Sequence, residues 1–302
     1  MVQTKSHFFT PACLRSARRS WAGKLLFLLL LLHVPLAGEA NKEGIGVVLS
    51  GGAARGFAHL GALQALEDYG IVPTRVSGAS MGAILGAVYA AGVPVNRIYS
   101  FAREQHYLLM YRPSFNGALF RTTFIEKMLD HLIPNINTFE SLQKRMYVCI
   151  TNLNTAKYEI IGSGSLKDKI VASASIPFVF EPSIIDSFTY VDGGLTNNLP
   201  VEPLLDSCKY IIGISVNSID RTLSQEEVKG VGGIYRALTM VVAANEEPRR
   251  HLCSFYIEIK QAEKFSLLDF GRIEELYAAG YQATVEYIEK HPDIMKLAHL
   301  KN

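Results

Sequence analysis

The sequence predicts an α/β fold, a central and mostly parallel sheet sandwiched by helices. Three observations predict it. Strand-like and helix-like stretches alternate from residue 45 to residue 289. Two of the strand stretches, Ile45–Ser50 and Tyr210–Val216, are continuous apolar runs, as expected of strands covered on both faces. A third strand runs into Gly78-Ala79-Ser80-Met81-Gly82, a Gly-x-Ser-x-Gly pentapeptide of the kind that turns a strand sharply into a helix with a serine at the apex. With 302 residues, 49% of them hydrophobic and 19% charged, the chain has ample material for a core.

Taken in order, the chain opens on a segment unlike the rest. Arg15, Arg18, Arg19 and Lys24 precede the run Leu25–Leu32, which ends near Pro35. Gly38-Glu39-Ala40 then puts small residues at the minus-three and minus-one positions of a cleavage site. This is the pattern of a secretory signal peptide. The run is short for a membrane span, which needs ~20 apolar residues. Residues 1–40 are therefore expected to be a signal peptide or an uncleaved signal anchor, giving an exported or membrane-anchored protein. A start codon assigned too far upstream would instead leave it cytoplasmic. Residues 41–302 are expected to form one domain. The leader holds five of the 30 basic and one of the 28 acidic residues, so the rest carries 25 and 27. Nucleic-acid binding has no electrostatic support in that balance.

The strand Ile45–Ser50 breaks at the glycine-rich loop 51–56 and is followed by a helical pattern with His59-Leu60, Ala62-Leu63 and Leu66 on one face, ending at Tyr69-Gly70. Residues 73–77 are expected as a short strand, and 84–91 as a buried helix closed by Gly92 and Pro94. Residues 95–133 read as mostly helical, with a loop or broken helix at His106–Phe115, either folded onto the core or a mobile, lipid-facing flap. Residues 146–150 and 158–161 flank Asn154-Thr155-Ala156 as a hairpin. A helix is expected from Leu166 to Ser175, an extended link over 178–182, and strands at 188–191, 210–216 and 254–259. Helices are expected at 232–246 and 272–289.

Three features carry chemistry. The first is the loop Gly51-Gly52-Ala53-Ala54-Arg55-Gly56. As a dinucleotide fingerprint it lacks the third glycine, where Ala53 stands, and as a Walker loop it lacks Gly-Lys-Ser/Thr, since Phe57 follows Gly56. Its other use is an oxyanion hole, with backbone N–H donors at Gly51, Gly52, Ala53 and Arg55 at the start of a helix. The second is Ser80, at the N-terminus of a helix whose positive end stabilises an oxyanion. The third is Asp192-Gly193-Gly194, a carboxylate at the end of a buried strand, where α/β proteins place their sites. By itself such an aspartate is equally well a turn residue bonding its own backbone.

A serine nucleophile ordinarily needs a histidine. After the leader these are His59, His106, His131, His251, His291 and His299. Only His251 follows Asp192 at a suitable place in the chain, and it adjoins the charged run Glu246-Glu247-Pro248-Arg249-Arg250, which reads as solvated. His59 is expected to pack on its helix face. Cys149, Cys208 and Cys253 are too widely spaced for a disulfide framework or a metal site, and Cys149 and Cys253 read as small core residues. No residue set has metal spacing, so no metal and no cofactor are expected.

Together the motifs resemble the patatin-like phospholipase family. The resemblance rests on Leu49–Gly61, Gly78-Ala79-Ser80-Met81-Gly82 and Asp192-Gly193-Gly194, in that order, with support from Ala172–Pro177, Glu181-Pro182 and Asn197–Val201. It covers roughly residues 44–290. Ala53 departs from the family's usual glycine. The resemblance implies a lipid acyl hydrolase with Ser80 as nucleophile, Asp192 as base, oxyanion donors between Gly51 and Arg55, and Gly56, Gly78, Gly82, Gly193 and Gly194 as motif glycines. It implies a lipid or phospholipid substrate met at a membrane surface, and activity that survives a chelator. The other reading is a catalytically silent membrane-surface binding protein on the same fold.

Overall fold

The structure, a computed structural model, describes residues 42–105 and 123–300. The leader and the segment His106–Phe115 lie outside the described residues. Along the described chain run β1 (Ile45–Leu49), α1 (Ala58–Asp68), β2 (Arg75–Ala79), α2 (Met81–Ala90), α3 (Val95–Glu104), α4 (Thr123–Leu132), β3 (Arg145–Asn152), β4 (Lys157–Ile161), α5 (Lys167–Ser173), β5 (Ser183–Ile185), β6 (Phe188–Asp192), β7 (Tyr210–Ser215), α6 (Val231–Arg250), β8 (Phe255–Glu258) and α7 (Ile273–Lys290).

The eight strands make one sheet in the order β5-β6-β3-β2-β1-β7-β8, with β4 also paired to β3. The pairs β3–β2, β2–β1, β1–β7 and β7–β8 are parallel, while β4 and β6 run antiparallel to β3. This is the mostly parallel α/β sheet that the sequence predicts. In β1, Ile45, Val47 and Leu49 enter a large core shared with α1, α2 and α7. Val48, on the other face, joins a smaller cluster with Leu199, Val201, Leu204, Cys208 and Ile211. Both faces are covered, which is why the run is apolar without alternation. All ten residues of α2 are buried, as its all-round apolar sequence requires.

One pairing detail positions the site. β2 occupies β3 as far as Ala79↔Cys149, and β6 occupies it from Ile150↔Asp192 onward. β4 pairs with Val148–Asn152, so it takes the opposite edge. β2 and β6 therefore run head-on along one edge of β3, and their C-terminal ends meet between Cys149 and Ile150.

Several elements differ from expectation. β5 lies just past the extended link expected at 178–182, where no strand is expected. It forms a hairpin with β6 through Asp186 and Ser187, both at positive φ, a turn that glycine or asparagine usually signals. α6 continues to Arg250, through Pro248, instead of stopping at residue 246. Its last turn is anchored by Arg249 on Glu202 (2.8 Å) and Arg250 on Glu258 (3.2 Å). The helix expected over 166–175 ends at Ser173.

Candidate active site

Ser80 follows the last residue of β2 and caps α2, with φ 52° and ψ −124°. A non-glycine residue at positive φ is strained, and such strain marks sharp strand-to-helix elbows. The two motif glycines make the turn possible. A Cβ on Gly82 would sit 2.2 Å from the Leu49 carbonyl oxygen, and one on Gly78 would sit 2.6 Å from the Gly82 backbone. The helix thus folds back across β1 at a distance only hydrogen atoms allow. Ser80 is 4% exposed. Its N–H donates to Ser173 Oγ (2.9 Å), and Ser173 Oγ donates to the Cys149 carbonyl (2.6 Å). Ser173 thereby ties the elbow to β3 at the point where the two strands meet.

Asp192 ends β6 and is 6% exposed. Its Oδ1 accepts the Gly194 N–H (2.8 Å), and its carbonyl accepts Thr151 Oγ1 (2.8 Å). Oδ2 is buried without an aligned partner. Desolvation pushes the Asp192 carboxyl up to about 7; the nearby Ser80 hydroxyl and the Gly194 N–H pull it part of the way back. Ser80 and Asp192, far apart in sequence, are thus brought to one mostly apolar groove, together with Gly52, Ala53, Asn198, Asn217 and Val242. A second groove, which also reaches Ser80 and Ala53, is lined by Phe57, Ile84, Met128, Phe180 and Phe270.

The glycine-rich loop leaves β1 beside Ser80. A Cβ on Gly51 would come to 2.9 Å from the Ser80 Cβ. Two of the four expected donors are already committed. The Gly51 N–H donates to Asn198 Oδ1 (3.1 Å), and the Arg55 N–H donates to the Gly52 carbonyl (3.0 Å) as a short 3-10 turn begins. The N–H of Ala54 is held by Leu267. The N–H groups of Gly52 and Ala53 make no such bond among the described residues, and both residues line the groove that holds Ser80 and Asp192. Ala53 adopts φ 48°, the left-handed region that favours glycine, so the residue that departs from the family pattern sits where glycine is the easier choice. Gly56 is buried against Met81, and Gly193 and Gly194 pack against Cys149 and Asn198. The Arg55 side chain is 8% exposed and its Nε donates to the Phe265 carbonyl (2.8 Å), away from Ser80.

No described histidine is hydrogen-bonded to Ser80. His59 is fully buried, with Nε2 on the Ser50 carbonyl (2.8 Å), and burial lowers it to about 4, so it is neutral and donates that bond. His251 is exposed at the end of α6. Cys149 is fully buried and its thiol is pushed up by desolvation, whereas Cys253 is half-buried. Among the described residues no group of three or more His, Cys, Asp or Glu is placed to hold a metal ion, and no helix is long and apolar enough to cross a membrane.

Two residues that sequence reasoning passed over stand behind the loop. Glu246, expected in a solvated charged run, is fully buried, and it receives the side-chain amide of Asn217. Asn217 in turn reaches the Gly51 carbonyl (2.6 Å). The signal for Glu246 lies in helical spacing: Thr239, Ala243 and Glu246 form the buried stripe of α6.

A family model described as Patatin-like phospholipase matches residues 47–205. Among curated proteins, the chain is similar to Lysophospholipase NTE1 of Mycosarcoma maydis, 27% identical over 278 residues, covering 81% of this chain and 15% of that one. It is similar in the same degree to Lysophospholipase NTE1 of Kluyveromyces lactis, 27% identical over 284 residues, covering 84% of this chain and 20% of the relative. It thus spans a fifth or less of those relatives' length. Among solved structures, VipD from Legionella pneumophila aligns with a TM-score of 0.56 at 15% identity, covering 82% of this chain and 67% of that one, a likeness of fold.

Proposed function

The chain belongs to the patatin-like phospholipase family, and from that premise we propose that it hydrolyses lipid esters with Ser80 as nucleophile and Asp192 as base. The observation that carries the reading is the meeting of β2 and β6 along β3, which leaves the serine and the carboxylate together at the mouth of apolar grooves. Asp192 takes the Ser80 proton as Oγ bonds to the ester carbonyl carbon. The carbonyl oxygen becomes an oxyanion that accepts from the Gly52 and Ala53 N–H groups, beside the positive end of α2. The ester C–O bond then breaks, and the proton passes from Asp192 to the leaving alcohol. Water then gives a proton to the same carboxylate as its oxygen bonds to the acyl carbon, the bond from that carbon to Ser80 Oγ breaks, and Asp192 returns the proton to Oγ.

The environment answers the weakness of an aspartate as base for a hydroxyl. A carboxyl held near 7 is better matched to this task than an ordinary one, and is still largely ionised at mildly alkaline pH. The groove lined by Phe57, Ile84, Met128, Phe180 and Phe270 fits an acyl chain. Phe178, between the groove-lining Ile176 and Phe180, and Ile184 on β5 are each 78% exposed and suit contact with a lipid surface. The relatives' name makes lysophospholipids the first substrates to test, beside phospholipids and neutral esters.

The test is hydrolysis of p-nitrophenyl butyrate by S80A and D192N proteins, with fluorophosphonate labelling of the wild type. Each variant is expected to lose at least about 10³-fold in kcat, and the label to be found on Ser80. Wild-type turnover by S80A would overturn the mechanism. A folded protein that neither labels nor turns over would favour a binding role on the same fold.

A further inference from the structure

Glu246 is a wholly buried acid that lines neither groove, yet its contacts lead to the loop beside Ser80. Its Oε1 accepts the side-chain amides of Asn198 (2.6 Å) and Asn217 (2.7 Å). Those two asparagines hold both polar groups of Gly51: Asn198 Oδ1 accepts its N–H (3.1 Å), and Asn217 Nδ2 donates to its carbonyl (2.6 Å). An asparagine amide can face either way, and only a neighbour decides. An acceptor at Oε1 draws both NH₂ groups toward it, which turns Asn198 Oδ1 to the Gly51 N–H. The same Gly51 backbone lies against Ser80, and Gly52 and Ala53 follow it directly.

We propose that Glu246 is a positioning residue for ester hydrolysis: through Asn198 and Asn217 it fixes Gly51, and with it the Gly52 and Ala53 donors beside Ser80. The inference rests on the hydrolase reading given above. Glu246 does not touch substrate. It acts by keeping the oxyanion donors where charge develops, and a displacement of about 1 Å at such donors costs on the order of 10² in rate.

The other oxygen, Oε2, accepts from the hydroxyls of Ser215 and Tyr256. Arg250 on the same helix is the charged group that lowers its pKa, and Cys253 is the further titratable group beside it. Burial pushes the Glu246 carboxyl up to about 7. A proton on Oε2 is compatible with the arrangement, because either hydroxyl can turn to accept it. Oε1 then remains an acceptor in both charge states, and the clamp depends on hydrogen-bond geometry, not on charge.

Glutamine keeps a carbonyl for the two asparagines and offers NH₂ to the two hydroxyls; alanine offers neither. On p-nitrophenyl butyrate, E246A is expected to lose about 10²-fold in kcat with KM within about threefold of wild type. E246Q is expected to restore kcat to within about threefold of wild type, with the acid limb of its pH–rate profile unmoved. An E246A protein with kcat within threefold of wild type overturns the proposal, as does E246Q impaired to the level of E246A or with a displaced acid limb. If E246A does not fold, N217A decides: a loss of about tenfold in kcat at constant KM supports the clamp, and unchanged kcat overturns it. S80A is run beside them. Turnover by S80A would sink the hydrolase reading, whereas inactive S80A with fully active E246A sinks the clamp alone.

Discussion

Ser80 occupies a conformation that an isolated serine avoids, so its neighbours must hold it there. Ser173 is the neighbour that bonds its N–H, and it stands on β3 through the Cys149 carbonyl. Ser173→Ala leaves the Ser80 N–H and the Cys149 carbonyl without this partner. A buried unpaired group costs about 1–3 kcal/mol. The S173A protein is expected to melt lower and to lose at least about tenfold in kcat, read by thermal denaturation and ester kinetics. Stability and kcat both at wild-type values would remove Ser173 from this role. Ser80 and Asp192 are legible in the sequence as a candidate pair because their neighbours are glycines that a close backbone approach requires. The loop donors were only half legible: a glycine-rich turn announces free N–H groups but not which are taken, and Asn198 takes one from a distant part of the chain. Glu246 was hidden by its company, since Glu247, Arg249 and Arg250 made the run look solvated while its helical stripe pointed inward.

At the scale of elements, α1 and α7 cross at Gly61 and Gly280. A Cβ on Gly61 would lie 1.9 Å from the Tyr277 carbonyl oxygen, and one on Gly280 would lie 1.9 Å from the Ala58 carbonyl oxygen. Gly280→Ala must therefore push the two helices apart. It is expected to destabilise by about 3 kcal/mol, measured by urea unfolding, and a loss under about 0.5 kcal/mol would show that the crossing is not close in solution. The effect should extend to the glycine-rich loop, because α1 continues directly from it. Long, periodic elements were legible with small boundary errors: α1, α7, β1 and β7 differ from expectation by a residue or two at each end. β5 was not, because Ser183-Ile184-Ile185 is too short to show alternation and its turn carries no glycine. The end of α6 is not legible because proline usually stops a helix, and here ion pairs to Glu202 and Glu258 hold the last turn.

For the whole molecule, stability and activity respond to pH in opposite senses. Asp192 and Glu246 are both raised by burial to about 7, from 3.8 and 4.5. Between those limits the folded protein holds protons that the unfolded chain has released, so stability falls as pH rises from about 4 toward 7. With Asp192 as the proposed base, activity requires it ionised, so kcat/KM is expected to rise with pH along a limb centred near 7. Melting temperature measured from pH 5 to 8 should fall for the wild type and fall less for D192N, which lacks one of the two groups; parallel slopes would contradict the burial argument. The head-on pairing along β3 has a consequence for how such a protein can vary. Ser80 and Asp192 are spaced by two strand registers on one ruler, Ala79 against Cys149 and Asp192 against Ile150. Apart from the elbow with α2, and Ser173 and Ser175, which bond the Ser80 and Asp192 N–H groups, the chain between β2 and β3 and between β4 and β6 has no part in that spacing. Insertions or deletions in the rest of those segments would leave Ser80 and Asp192 at the same separation, while Ile125, Met128 and Phe180, which line the groove at Ser80, come from there. On the proposed function, chemistry and substrate preference are thus written in separable parts of the chain, and one can be rewritten without the other.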